Sequence, residues 1–348
     1  MDSNRFSLIV QPLLDWFSFH ARELPWRRDR EPYHVWLSEI MLQQTRVEAV
    51  KGYYERFLAA APDVFALAAL PEDRLLKLWE GLGYYNRARN LQKCAKELAA
   101  RGGQFPQTQD ELCKLPGIGD YTAGAIASIC FDQPCAAVDG NVLRVCARFL
   151  DDHTPIDDPA LKKTLAAALG EVYPAGQCGD FTQALMELGA TVCAPNGPPH
   201  CADCPVAEHC LARERGTAGS LPVRRPKKPR REEARTAFLL RCGDLIAVRK
   251  RPDRGLLAGL WELPNTGGSL TEAEAGAYLS GLGLGDVRLR AVTDGEHIFT
   301  HIRWAIRCYT VECALAGGDF VWVTAAQLRG EVSLPTAFRQ FLAPSVEN

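Results

Sequence analysis

Four cysteines near the middle of the chain form a dense group of side chains that can ligate a metal. They lie within eighteen residues at the spacing C-x7-C-x2-C-x5-C, in a loop rich in proline and glycine: Cys193, Cys201, Cys204 and Cys210. Thiolates this close are expected to share a metal. Their softness permits either zinc or an iron–sulfur cluster. The other nine cysteines lack this clustering and are expected to be small core residues.

The stretch LCKLPGIGDYTAGAIASI, residues 112–129, could bind a phosphate. It predicts a helix end, a turn at residues 116–119 and a new helix whose first turn contains Thr122. Gly117 and Gly119 would let the backbone approach a ligand closely, and the N–H groups that begin a helix attract an anion. The same pattern is also typical of a tight turn whose glycines serve packing alone.

Two carboxylates stand where their surroundings could give them a chemical role. Glu39 lies in VWLSEIMLQQT, where a helix would surround it with apolar side chains. Burial would raise its pKa, so that it could donate a proton near neutral pH and then accept one from water. The alternative is a carboxylate at the polar edge of an amphipathic helix. Asp139 precedes the helical pattern GNVLRVCARFL and is either an N-cap or an ionised carboxylate facing a developing cation.

Composition sets the frame for these residues. A chain of 348 residues predicts two domains with a connector, and 47% hydrophobic with 24% charged residues is typical of soluble proteins. No apolar run is long enough to span a membrane, and the N-terminal stretch does not resemble a secretion signal, which favours a cytoplasmic protein. Thirteen cysteines, an odd number, argue against a disulfide framework. The net charge of −2 indicates no partner.

The pattern along the chain predicts an all-α body, a basic tether and a smaller α/β domain. Residues 1–212 show helical punctuation, as in PEDRLLKLWE and NRARNLQKCAKELAARGG, and carry 20 Lys and Arg against 27 Asp and Glu. Residues 213–235 carry nine basic against three acidic residues and include three prolines, which predicts an extended linker. Residues 236–348 predict strands in TAFLLRCGDLIAVRKR, HIFTHIRWAIRCYTVEC and DFVWVTAAQL, and a helix in TEAEAGAYLSGLG.

The motif LPGIGDYTAGAI resembles the helix-hairpin-helix of the endonuclease III superfamily of DNA glycosylases, in which a four-cysteine 4Fe-4S cluster follows the catalytic domain. Residues 24–210 resemble the MutY-type adenine DNA glycosylases throughout, through LPWR, SEIMLQQTRVEAV, WEGLGYYNRARNL, AVDGNVLRV and FTQALMELGATVC. The resemblance implies a 4Fe-4S cluster on the four cysteines. This chain departs from the family by having seven residues, APNGPPH, between the first two cysteines instead of six. His200 is the only cation candidate there, which leaves the family's phosphate contact at this loop in question.

The resemblance also implies a reaction: hydrolysis of the N-glycosidic bond of adenine mispaired with 8-oxoguanine or guanine in duplex DNA. Glu39 would protonate the adenine ring and activate water, Asp139 would stabilise an oxocarbenium-like sugar, and Asn141 would order the site. Tyr121 stands where lyase-competent relatives have a lysine. A phenol cannot form a Schiff base, so we expect a monofunctional glycosylase that leaves an abasic site.

An adenine inside a duplex must be flipped out before these groups can reach it. The resemblance assigns DNA contacts, including the wedge and gap-filling positions, to Gln44, Thr45, Leu82, Tyr84, Gly117, Gly119 and Thr122. It assigns the adenine pocket to Trp26, Arg27, Leu42 and Gln183, where an amide can read the edge of the base. Leu82 and Tyr84 fit a core equally well.

The C-terminal domain resembles the Nudix-like appendage of the same family, most clearly in IAVRKRPDRGLLAGLWELP. A Nudix pyrophosphatase needs a glutamate-rich helix to hold magnesium, whereas this segment has only Glu272 and Glu274, so recognition without catalysis is expected. The tripeptide Phe299, Thr300 and His301 matches the family's Phe-Ser-His element, which reads 8-oxoguanine. Alternation predicts one continuous strand with Ile298, Thr300, Ile302, Trp304 and Ile306 facing a core and His297, Phe299, His301 and Arg303 facing outward. The alternative is a plain strand with a polar face.

The sequence is also compatible with two other functions. One is a catalytically silent iron–sulfur protein that binds DNA and senses redox state, which the intact Glu39, Asp139 and Asn141 disfavour. The other is a pyrimidine-mismatch glycosylase of the same superfamily, in which the appended domain would have no role. The expected partner is duplex DNA with an A:8-oxoguanine or A:G mispair, bound by a monomer that contacts no membrane.

Overall fold

The computed structural model describes residues 3–226 and 229–342, which form two units. Residues up to 69 and from 89 to 226 belong to the first unit, and residues 70–88 together with those from 229 onward belong to the second. Among the described residues, the structure shows no helix that combines the length and the apolar character needed to cross a bilayer.

Helices build the first unit. They are α1 (Ser3–His20), α2 (Pro32–Leu42), α3 (Val47–Ala60), α4 (Val64–Ala69), α6 (Asn86–Ala100), α7 (Gln109–Leu112), α8 (Asp120–Phe131), α9 (Gly140–Leu150), α10 (Pro159–Gly170), α11 (Cys178–Thr191) and α12 (Leu211–Glu214), with 3₁₀ turns at Pro25–Arg27, Cys201–Asp203 and Ala207–His209. The first residues of α6 overlap the second unit, to which α5 (Glu72–Leu78) belongs entirely.

The core of the first unit forms because apolar residues recur at helical spacing. On α9, Val142, Val145, Cys146 and Phe149 lie on one face and are buried. They pack with apolar faces of α1, α10 and α11. This packing fixes the start of α9, where Asp139 lies.

A mixed sheet forms the second unit. Its strands are β1 (Arg231–Cys242), β2 (Leu245–Lys250), β3 (Trp261–Glu262), β4 (Asn265–Gly267), β5 (Val287–Ile298), β6 (Ile302–Cys313) and β7 (Val321–Thr324), accompanied by α13 (Glu272–Ser280), α14 (Ala325–Gly330) and α15 (Thr336–Arg339). The strand order is β3-β2-β1-β6-β5, with β4 beside β1 and β7 beside β2. Strands β1 and β6 are parallel, with Arg231 opposite Ile302, and β5 is antiparallel to β6.

Both faces of this sheet are covered. Successive residues of β1 point to opposite faces: Leu239 packs with Trp304 on one side, and Leu240 packs with Tyr309 on the other. Helices α14 and α15 contribute to the first core and α13 to the second. The stretch TAFLLRCGDLIAVRKR forms the two antiparallel strands β1 and β2, joined by a turn at residues 243–244.

The prediction of one continuous strand through HIFTHIRWAI is wrong. Strand β5 ends at Ile298, β6 begins at Ile302, and the Phe299 N–H donates to the Ile302 carbonyl at 2.8 Å to close a tight turn. The chain reverses here, so alternation does not continue across residues 299–301. Ile298 is 53% exposed and Thr300 is exposed, whereas Phe299 packs on the core beside Trp304.

Two boundaries differ from the predicted domain limits. The end of helix α12 and the buried Ala218 and Leu221 lie inside the predicted 213–235 linker, and β1 begins at Arg231. Of the predicted linker, only residues 222–226 and 229–230 are described by the structure and lie beyond these ordered contacts and before β1. Residues 70–88, predicted to belong to the first domain, group with the C-terminal unit. The physical reason is a set of contacts from α5 and the segment after it to residues 328–339.

Candidate active site

Glu39 lies in a helix that is apolar on nearly every side. On α2, Val35, Trp36, Leu37 and Ile40 are buried, and Glu39 itself is only 6% exposed. The pKa of Glu39 is raised to about 7: burial is the main cause and the charge of Asp139 adds to it, while a hydrogen bond from Tyr121 and the charge of Arg27 act in the opposite direction. The carboxyl group is therefore close to half protonated at neutral pH, as its position in the sequence predicts.

Tyr121 brings the hairpin to this carboxylate. It lies in the first turn of α8, and its hydroxyl donates to Glu39 Oε2. Burial and the negative charges of Glu39 and Asp139 raise the pKa of Tyr121 well above its usual value. Tyr121 therefore remains a neutral hydrogen-bond donor throughout the physiological pH range.

Asp139 is the N-cap of α9 and is also electrostatically coupled to Glu39. Its Oδ1 accepts the Val142 N–H at 2.8 Å and its Oδ2 accepts Asn141 Nδ2 at 2.8 Å. Burial raises the pKa of Asp139, while the hydrogen bonds from Val142 and Asn141 lower it. Asp139 is therefore an N-cap, as one of the two predictions states. Capping does not exclude a chemical role, because it orients a carboxylate whose charge acts on Glu39 and Tyr121.

A cavity of about 150 Å³ opens onto Glu39 and Tyr121. Its lining includes Glu39, Tyr121 and Asn141, together with four residues predicted for the adenine pocket and one predicted DNA contact: Trp26, Arg27, Leu42, Gln183 and Thr45. The structure thus brings the predicted pocket residues to the carboxylate predicted to act as the acid. Gln44, next to this wall, is exposed and adopts a left-handed backbone conformation with φ 59°.

The same wall of the cavity contains a buried ion-pair network that the sequence analysis did not predict. Glu187 is fully buried, and its carboxylate accepts Arg22 Nε at 2.6 Å and Arg27 Nη2 at 2.8 Å. Burial opposes ionisation, but hydrogen bonds and positive charges from Arg22 and Arg27 hold the pKa of Glu187 below its usual value. Glu187 is one helical turn after Gln183 on α11, so an i, i+4 search from the predicted pocket residue would have found it.

The hairpin glycines have different roles. Gly117 has φ +76°, and a Cβ there would lie 2.6 Å from Asn90 Cβ, so the turn itself requires glycine. Gly119 has an ordinary φ of −101° and open space where a Cβ would project. Gly119 therefore leaves room for a ligand at the start of α8. Thr122 is only 2% exposed, so the structure does not place its hydroxyl at the surface where a phosphate would bind.

The second unit brings two more predicted residues together. Tyr84 is 50% exposed, has φ 46°, and its hydroxyl lies 3.1 Å from Thr300 Oγ1. The Phe299 ring packs 4.9 Å from Trp304, and His301 is exposed at the same turn. Leu82 is buried, as its alternative reading predicts.

The four cysteines of the loop line one small cavity, with Arg148 Nη1 3.3 Å from Cys193 Sγ. Across the chain that the structure describes, no group of three or more His, Cys, Asp or Glu side chains is arranged to hold a metal ion. None of these four cysteines forms a disulfide. A set of soft ligands around one cavity fits a thiolate-bound metal centre in its chemistry.

Family models match both units. Residues 37–169 match the HhH-GPD superfamily of base excision DNA repair proteins, and residues 236–344 match a NUDIX domain. A thermostable thymine-DNA glycosylase is similar over 61% of this chain and 98% of its own, with 28% identity and a TM-score of 0.54. Endonuclease III in a non-covalent DNA complex shares the fold, at 24% identity, a TM-score of 0.53, and coverage of 62% and 98%. The fold and the site thus define a base excision DNA glycosylase with an appended Nudix-like domain.

Curated relatives narrow the class further. The adenine DNA glycosylase of Mus musculus is 36% identical over 86% of this chain and 69% of its own length. The Homo sapiens enzyme is 36% identical over 85% and 65%, and that of Buchnera aphidicola subsp. Baizongia pistaciae 36% over 74% and 73%. The chain spans about two thirds of the length of these mammalian relatives. It belongs to the adenine DNA glycosylase family and is a DNA N-glycosylase.

Proposed function

We propose that this enzyme hydrolyses the N-glycosidic bond of adenine mispaired with 8-oxoguanine or guanine in duplex DNA. The observation that carries the proposal is Glu39, buried in the wall of a cavity and half protonated near neutral pH. A carboxyl group in that state can act first as an acid and then as a base. Membership of the adenine DNA glycosylase family supports adenine as the base.

In the proposed reaction the flipped adenine enters the cavity. Leu42 and Trp26 form apolar walls, and the Gln183 amide offers a donor and an acceptor to the edge of the base. Glu39 donates its proton to the adenine ring as the bond between sugar and base breaks, and the bonding electron pair leaves with the base. The Glu39 carboxylate then accepts a proton from the water that attacks the sugar.

Asp139 stabilises the positive charge that develops on the sugar. Its carboxylate is already held by the Val142 N–H and the Asn141 amide, so it needs no reorganisation during the reaction. The positive charge on the sugar favours the ionised form of Asp139, whereas burial of Asp139 opposes it. Asn141 therefore acts by orienting this carboxylate.

Tyr121 offers no amine and stays neutral, so no Schiff base forms and the product is an abasic site in an intact strand. The N–H groups that begin α8 hold a phosphate next to Gly119. Gln44, Thr45 and Tyr84 contact the distorted duplex, while Phe299, Thr300 and His301 read 8-oxoguanine.

The four loop cysteines would hold a 4Fe-4S cluster. When bound, the cluster supplies a cross-link of thiolate bonds that fixes the loop after α11. We assign it no step in base removal, which the residues of the cavity accomplish.

The test uses duplexes with A opposite 8-oxoguanine, A opposite G and T opposite G, followed by hot alkali. We expect adenine release and alkali-dependent strand breaks with the first two and none with the third. Glu39→Gln should abolish release while leaving duplex affinity largely unchanged, and Glu48→Gln, an exposed carboxylate, is the matched control. Release of thymine would favour a pyrimidine-mismatch glycosylase, and binding without any release would favour a silent DNA-binding protein.

A further inference from the structure

Residues 70–88 carry a buried ion pair that the proposed reaction does not use. The Lys77 ammonium lies 2.8 Å from Glu80 Oε2, and it donates to the carbonyls of Leu328 at 3.2 Å and Val332 at 2.9 Å. The side chains of Lys77 and Glu80 are only 13% and 11% exposed. Solvent therefore screens this pair, which we call the Lys77–Glu80 anchor, far less than an exposed pair.

Glu80 completes the attachment to the C-terminal end of the second unit. Its Oε1 accepts the Leu334 N–H at 2.7 Å, and its Oε2 lies 3.1 Å from Arg339 Nη2. Leu334 belongs to the same apolar cluster as Trp304, against which Phe299 packs. The anchor thus joins the segment after α5 to the core that supports the turn at residues 299–301.

A short chain of contacts leads from the anchor to the exposed Tyr84. Trp79 Nε1 donates to the Gly83 carbonyl at 3.1 Å, and Arg87 Nη2 donates to the same oxygen at 3.2 Å. The Arg87 guanidinium lies over the rings of Trp79 and Tyr84, at 5.4 and 5.6 Å from their centroids. The Tyr84 hydroxyl then meets Thr300 Oγ1 at 3.1 Å. Tyr84 and Thr300 are therefore held on one side by contacts around Trp79, which lies between Lys77 and Glu80 in the chain, and on the other by the core beneath Phe299.

We infer that Lys77 and Glu80 are positioning residues for discrimination between 8-oxoguanine and guanine opposite adenine. This inference rests on the proposed function. The two bases differ by one carbonyl oxygen and one N–H, so telling them apart depends on a few accurately placed hydrogen-bonding groups. The anchor places Tyr84 and residues 299–301 as one surface, whereas adenine removal itself occurs among residues of the first unit.

The experiment compares single-turnover adenine release from A:8-oxoguanine and A:G duplexes by the full chain. The variants are Lys77→Met, Glu80→Gln and the double variant. Lys250→Met is the matched control, because Lys250 pairs with Asp73 at 2.8 Å in the same unit, with side chains 46% and 50% exposed. We expect the ratio of the two rates to fall by about 5- to 10-fold, within the range typical of coupling between sites, while the A:G rate stays within about twofold. The double variant should lose no more than the worse single variant, since both act through one pair.

A second measurement does not depend on catalysis. In a Glu39→Gln background, the ratio of duplex affinities for 8-oxoguanine and guanine opposite adenine should fall in parallel with the rate ratio. An unchanged ratio in Glu80→Gln, which keeps the size of the side chain, would overturn the inference, as would equal losses on both duplexes. If the unaltered enzyme released no adenine, the proposed function would fail, while the affinity ratio would still test the anchor.

Discussion

The hydrogen bond from Tyr121 to Glu39 predicts a specific change in the pH dependence of base removal. The pKa of Glu39 is about 7 with this bond in place. The bond favours the carboxylate form and so lowers the pKa, against the effect of burial. Tyr121→Phe removes the donor and keeps the ring. A hydrogen bond to a charged group is worth about 1.5–3 kcal/mol, which corresponds to an upward shift of about 1–2 pH units in the pKa of Glu39.

The direction of the expected rate change follows from the form of Glu39 that acts first. The protonated form is the acid, so activity falls as pH rises through its pKa. At pH 8 about a tenth of the unaltered enzyme would carry the proton, against about half to nine tenths of Tyr121→Phe. We therefore expect the variant to be about 5- to 10-fold faster at pH 8 and nearly equal at pH 6, where both enzymes are mostly protonated.

The assay is single-turnover adenine release between pH 5.5 and 9. Tyr173→Phe is the matched control, since Tyr173 is also buried and its hydroxyl pairs with Thr182 Oγ1 at 3.0 Å rather than with Glu39. The fall in rate at alkaline pH should coincide for Tyr173→Phe and the unaltered enzyme. An alkaline limb in Tyr121→Phe that does not move, or moves to lower pH, would refute the account of Glu39 as a buried acid restrained by this phenol.

Three further outcomes are expected. Because the pKa of Glu39 is raised from 4.5 to about 7, its contribution to stability is complete below pH 4.5 and lost as pH rises through 7. Glu39→Gln should therefore be up to ~3 kcal/mol more stable than the unaltered enzyme at pH 8, with little difference at pH 5; denaturation curves showing equal stability at pH 8 would contradict this. Gly117→Ala should destabilise the fold by about 1 kcal/mol or more, whereas Gly119→Ala should keep its melting temperature and weaken duplex binding; equal melting losses would argue against a ligand beside Gly119. Cys204→Ser should lower the bound iron and sulfide per chain, with Cys94→Ser, buried in α6, unchanged; stoichiometric zinc in the unaltered protein would instead exclude the iron–sulfur cluster.

Chemistry that depends on local sequence was predictable. Glu39 has apolar neighbours on nearly every side of its helix, so its burial follows from periodicity alone. Asp139 directly precedes a helical pattern, and it does cap α9. That Glu39 and Asp139 serve one site depends on how α2 and α9 pack, which periodicity does not encode, so this expectation came from a family resemblance. The hydrogen bond from Tyr121 to Glu39 was not predicted.

The errors have physical causes in particular residues. The turn at residues 299–301 contains no Gly, Pro, Asn or Asp, so no turn signal interrupts the alternation from Ile298 to Ile306. The assignment of residues 70–88 failed for another reason. Lys77 and Glu80 bind the backbone groups of residues 328, 332 and 334. Backbone donors and acceptors are nearly the same for every residue type, so a sequence does not show which of them will bind a side chain.

The C-terminal unit is discontinuous in the chain, and this affects how the protein can be divided. A fragment that starts after residue 226 would lack α5 and the segment after it, which supply Lys77 and Glu80. A fragment that ends there would leave both charges without the backbone partners that satisfy them. Cleavage between the two units, after residue 226, would therefore leave the first unit in one piece but divide the second, because residues 70–88 would stay with the N-terminal piece. Deletions and domain exchanges should keep residues 70–88 and the C-terminal sheet from the same parent.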